Sequence, residues 1–175
     1  MAQQESIVFD DEALAALTAS LAAECKVRGV RIVTAESCTG GWMAKLCTDL
    51  AGSSAWFERG LVTYSNEAKQ ELLGVAASDL IRFGAVSEPV AASMAEGALR
   101  YSRADFSVSV TGIAGPDGGS PEKPVGTVCF GWALPGGVVE TERHLFRGDR
   151  DEVRRATIVT AFNGLLARLL NSANS

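Results

Sequence analysis

The stretch TAESCTGG, residues 34–41, sets two nucleophilic side chains, Ser37 and Cys38, ahead of a glycine pair. Cysteine is the stronger intrinsic nucleophile, but it needs a histidine or another cation to become thiolate near neutrality. The chain has one histidine, His144, in the middle of ERHLF, so a Cys38–His144 dyad is the weaker option. Serine also needs a base, and lysine can serve when desolvation lowers its pKa. Lys69, in TYSNEAK at 63–69, is the candidate, with Tyr64 beside it as a hydrogen-bonding relay. That set would perform acyl transfer. On the residues alone an alternative stays open, in which Ser37 caps a helix, Lys69 is solvated and Tyr64 packs.

Two further stretches carry features that suit anions. TGIAGPDGG, residues 111–119, is glycine-rich enough for backbone to approach a phosphate, although it lacks the lysine of a P-loop and the spacing of a dinucleotide fingerprint. In FRGDRDEVRR, residues 146–155, Arg150 and Arg154 lie one turn apart at the start of a helix, where the dipole disfavours cations. Either Asp149, Asp151 and Glu152 compensate them as a solvated cluster, or a ligand phosphate or carboxylate does.

The elements that must position these groups follow from pattern. Residues 10–29 begin with carboxylates, continue in alanine and leucine and end with basic residues and Gly29, which predicts a helix. VRIVTA, 30–35, predicts a strand, and the glycines after ESCT turn it into a second helix over 41–51, whose free N–H groups and dipole suit an anion or a developing oxyanion. A strand over 59–65, a short helix over 66–73, a helix from Ser87 and an alternating strand over 105–112 follow. TVCFGWAL and VVETERHLF flank PGG as a hairpin. The last helix starts at Asp149 with Glu152 as a capping box, and repeats Ile158, Phe162, Leu165 and Leu169.

This alternation predicts a three-layer α/β/α sandwich on a five-strand mixed sheet, in one domain over residues 1–175 with its core at about 10–170. The loop over 112–125 and the PGG turn contain no crossover helix, so the strand at about 126–134 is expected to run antiparallel to its neighbours. Ligands of open α/β sheets collect at the carboxyl ends of the strands, where all four stretches converge.

Composition narrows the function. The formal net charge of −5 repels polyanions, so no nucleic-acid partner is expected. No apolar run is long enough for a membrane span, and the opening residues lack a basic segment followed by an apolar one, which predicts a cytoplasmic protein with no membrane partner. Four cysteines without a CxxC pair and a single histidine argue against a zinc site, and no metal or cofactor is expected. Cys25, Cys47 and Cys129 sit in apolar surroundings and read as core thiols.

TAESCTGG, VTYSNEAK, LGV, GAVSEPVA, VTGIAGPDGG, KPVGTV and FRGDRDEVRRAT occur in the order and spacing of the CinA C-terminal domain family, which the chain resembles from about residue 10 to 170. The resemblance implies a nicotinamide-nucleotide amidohydrolase, in the family's stand-alone form, that converts nicotinamide mononucleotide to nicotinate mononucleotide and ammonia. It implies Ser37 as nucleophile, Lys69 as base and Tyr64 in support. Cys38, Thr39 and Gly40 then form the substrate-binding turn, with the N–H groups of Cys38 and Thr39 at the oxyanion. A nucleotide substrate needs a phosphate clamp, for which Arg150 and Arg154 are the candidates, while Thr111, Gly112 and Gly115 are placed to contact the nucleotide. A non-catalytic pyridine-nucleotide-binding regulatory module is the alternative, and a homodimer is the default assembly.

Overall fold

The computed structural model describes residues 9–172. The expectation drawn from the opening residues falls mostly outside that range.

Helix α1, Asp11–Arg28, starts where the Asp10 carboxylate accepts the Ala13 N–H at 2.8 Å and stops at Gly29, whose φ of 66° turns the chain left-handed. It leads into β1, Ile32–Glu36, and then α2, Trp42–Asp49. Strand β2, Phe57–Val62, is followed by α3, Asn66–Leu73, capped by the Ser65 hydroxyl on Ala68 N–H. Helix α4, Ala77–Phe83, was not expected. It is seven residues long, no side chain caps its first turn, and it buries only Leu80, so its periodic signal is faint. Helix α5, Glu88–Arg100, precedes β3, Phe106–Gly112, and the hairpin of β4, Thr127–Ala133, with β5, Val139–Leu145. Helix α6, Arg150–Asn171, opens with the expected capping box between Asp149 and Glu152.

The strand order is β2-β1-β3-β4-β5. β1 pairs in parallel with β2 and β3, and β4 runs antiparallel to both β3 and β5, so one strand of the five opposes the rest, as expected. β1 and β4 are buried throughout and β3 up to Thr111, whereas the edge strands β2 and β5 hold only half-buried and exposed residues.

Helices α1, α2 and α6 cover one face, α3, α4 and α5 the other. On the first, Ile158, Phe162, Leu165 and Leu169 of α6 meet Val108 and Val110 of β3 and Phe130 and Trp132 of β4, each such side chain contributing about 1.5–3 kcal/mol by burial. On the second face β3 presents small polar residues, and these are buried too. Ser107 and Ser109 donate to the Ala95 and Ala91 carbonyls of α5 at 2.7 and 2.6 Å, which lets that helix lie close on the sheet. Among the described residues no helix is long and apolar enough to cross a membrane.

Candidate active site

Three chain segments meet at the carboxyl ends of the parallel strands. Ser37 follows β1 directly, and its N–H continues the sheet by donating to Val110 O of β3 at 3.1 Å. Thr63 follows β2 and donates to Glu36 O at 2.8 Å, which ties the second segment to the first. Lys69 lies one turn into α3. From there its Nζ donates to the Thr63 carbonyl at 2.8 Å and sits 3.0 Å from Ser37 Oγ. Sequence reasoning named Ser37 and Lys69 from their types and their places after the first two strands; the parallel pairing of β1 and β2 brings them into contact.

Lys69 is 1% exposed, and no carboxylate among the described residues forms an ion pair with it. Burial therefore holds its pKa below the usual lysine value. Cys38 is the opposite case. Its thiol is 6% exposed and burial pushes its pKa up to about 12, which leaves it protonated and unreactive. His144 lies on β5, three strands from β1 or roughly 14 Å across the ladder, and pairs with Glu142 at 2.8 Å, so no Cys38–His144 dyad forms.

The contact between Ser37 and Lys69 opens into a cavity of about 270 Å³ lined by Ser37, Cys38, Tyr64, Asn66, Lys69, Ala85, Val86, Thr111, Gly112, Ala114 and Arg150. Arg150 and Ala114 also line an adjoining cavity of about 650 Å³ that includes Pro116, Val125, Gly148, Asp149 and Arg154. Arg150 thus stands between the two spaces, with one guanidinium nitrogen on Gly115 O at 2.8 Å and another 3.4 Å from the Tyr64 hydroxyl. Gly115 precedes a cis peptide to Pro116 and has φ of 82°, and a Cβ there would lie 2.5 Å from Val125.

Several expected residues serve differently from their first reading. Tyr64 is 64% exposed and its hydroxyl meets Arg150, not Ser37 or Lys69. The Thr111 hydroxyl is committed to Ala85 O at 2.8 Å, so it fixes the cavity wall. Arg154 reaches back to donate to Thr39 O at 2.8 Å and stacks over Trp42 at 5.0 Å, holding the Ser37–Gly41 turn from outside. The α2 N-terminus is not open to an anion. Glu36, fully buried, accepts Met43 N–H at 2.8 Å, Ala44 N–H at 2.9 Å and the Thr39 hydroxyl at 2.7 Å. Sequence reasoning missed Glu36. The signal was an acidic residue ending an apolar strand just before a helix whose N-cap, Gly41, has no side chain to cap it. The N–H groups of Cys38 and Thr39, outside α2, donate to no backbone carbonyl among the described residues.

The sequence and the fold have counterparts among known proteins. The model of the CinA C-terminal domain matches residues 14–169. A relative in Escherichia coli named nicotinamide-nucleotide amidohydrolase PncC is 55% identical over 162 residues, covering 93% of this chain and 98% of its own. The protein of the same name in Enterobacter agglomerans is 52% identical, covering 94% of this chain and 100% of its own. The crystal structure of the competence/damage inducible protein CihA from Agrobacterium tumefaciens superposes with a TM-score of 0.87 at 44% identity, over 95% of this chain and 98% of that one. The chain belongs to the CinA C-terminal domain family.

Proposed function

We propose that this protein is a nicotinamide-nucleotide amidohydrolase that converts nicotinamide mononucleotide to nicotinate mononucleotide and ammonia through a seryl ester. The names of its relatives in Escherichia coli and Enterobacter agglomerans support the substrate class. The observation that carries the mechanism is the buried amine of Lys69, 3.0 Å from Ser37 Oγ and without a counter-ion.

The neutral amine takes the Ser37 proton while its bond to Thr63 O keeps it aimed at the hydroxyl. The alkoxide attacks the carboxamide carbon, and the N–H groups of Cys38 and Thr39 hold the oxyanion. The ammonium of Lys69 then returns its proton to the departing nitrogen, ammonia leaves, and the acyl group rests on Ser37. Water, deprotonated by the same amine, cleaves the ester and restores the hydroxyl. General base catalysis of this kind contributes about 10²- to 10⁴-fold, and each oxyanion donor about 3 kcal/mol. Arg150, between the two cavities, takes the substrate phosphate, with the pyridine ring inward towards Ser37 and the ribose between them. Arg154, bonded to Thr39 O, backs the oxyanion turn and adds positive charge to the outer cavity.

The test is ammonia release from nicotinamide mononucleotide by the purified protein and by Ser37→Ala. Wild type is expected to turn over, and the variant to lose at least about 10³-fold in rate while still binding nucleotide. Absence of ammonia from the wild type overturns the activity; wild-type rates in Ser37→Ala overturn the nucleophile.

A further inference from the structure

The mechanism above makes no use of Glu36, yet this carboxylate is fully buried in the central sheet next to the nucleophile. We propose that Glu36 is a positioning residue for the reaction, fastening the oxyanion turn Ser37–Gly41 to the sheet. The inference rests on the Ser37–Lys69 reading and deepens it.

Two backbone bonds, Gly40 N–H to Ser37 O at 3.1 Å and Trp42 N–H to Thr39 O at 3.2 Å, close the turn on itself without fastening it to the sheet. Gly40 and Gly41 both take positive φ, 61° and 95°, and the α2 N-cap offers no side-chain bond. A glycine pair in that conformation has no side chains of its own to restrain it. Glu36 supplies the missing cap from seven and eight residues away. Its two oxygens take the N–H groups of Met43 and Ala44, and the first also takes the Thr39 hydroxyl. Its own backbone is pinned in β1, with Val62 of β2 opposite on one side and Val110 of β3 on the other. The chain of support therefore runs from the sheet through one carboxylate to the turn and the start of α2.

Two consequences follow for the chemistry. First, the carboxylate satisfies the α2 N-terminus, so neither the substrate phosphate nor the product carboxylate competes for it, and the N–H groups of Cys38 and Thr39 are left for the oxyanion. Second, Ser37 stands between a fixed strand end and a fixed turn, which keeps its hydroxyl on Lys69. Displacement of a reacting group by about 1 Å can cost about 100-fold in rate.

The experiment compares wild type with Glu36→Gln, which keeps shape but turns one acceptor into a donor facing an N–H, and with Thr39→Val, which removes only the hydroxyl contact. Three quantities are measured: kcat and KM for ammonia release, the unfolding temperature, and the rate at which an arylsulfonyl fluoride labels Ser37, read by peptide mass spectrometry. Labelling replaces the S–F bond with an S–O bond to Ser37 and releases fluoride, so it reports the nucleophile without the natural substrate. The expected result is a fall in kcat of about tenfold or more for Glu36→Gln and a smaller one for Thr39→Val, each with KM within about twofold, and labelling that slows in parallel. Wild-type kcat and labelling in Glu36→Gln overturn the proposal. So does a loss confined to Glu36→Gln in which KM and the unfolding temperature deteriorate together, for that is damage to the fold. If wild type labels at Ser37 but releases no ammonia, the substrate reading fails and the labelling rates still decide the role of Glu36.

Discussion

At the starts of β3 and β5 a cavity of about 620 Å³ is lined by Phe106, Leu134, Pro135, Val138 and Ala167, whereas the Ser37 cavity at the other end of β3 measures about 270 Å³. Each contains a long basic side chain. In the larger one Arg168 pairs with Glu140 at 2.7 Å, donates to Gly164 O at 2.9 Å and lies 3.9 Å from the centre of the Trp132 ring. In the smaller one Lys69 has a carbonyl and a serine hydroxyl and no carboxylate. Arg168 has a carboxylate partner, whereas burial without one holds the Lys69 pKa below its usual value. Cavity size does not separate the two ends; charge compensation does.

The largest blow to this contrast comes from Lys69→Met, expected to lower ammonia release by about 10²- to 10⁴-fold in a steady-state assay. The same variant tests the electrostatics through stability. Below the folded-state pKa of Lys69 both folded and unfolded chains carry the proton, and the folded state bears the full desolvation penalty. Between that lowered value and 10.5 the unfolded chain binds more protons, so this group makes stability rise with pH, and above 10.5 its effect vanishes. Denaturant melts across the window are expected to show a shallower rise in Lys69→Met than in wild type. Arg150→Ala sharpens the comparison next: KM for the nucleotide is expected to rise about tenfold, with kcat changed far less. The smallest effect belongs to the other end. Arg168→Gln is expected to cost about 1 kcal/mol in a thermal melt and to leave kcat at the wild-type value.

The two ends also differ in how much of them the sequence revealed. The helix over residues 150–171 announced itself by the Asp149–Glu152 box and an apolar repeat, and β3 by its alternation, because both signals are local. Ser37 and Lys69 could be named as types, but their 3.0 Å contact depends on β1 lying beside β2, and strand adjacency is a long-range property. Glu36 was read only as part of the ESCTGG turn after the first strand, since nothing local says that its carboxylate turns back to cap a helix beginning six residues later. Cys38 stayed a possible nucleophile until burial was known. Helix α4 was missed because a seven-residue helix with one buried side chain has almost no period to read.

The central claim is that Lys69 is an uncharged amine in the folded protein, and an NMR titration of its Nζ in ¹⁵N-lysine-labelled protein tests it directly. The account predicts that the amine titrates well below 10.5, at the pH where kcat/KM for ammonia release rises. A lysine that keeps its proton up to 10.5 or beyond contradicts it.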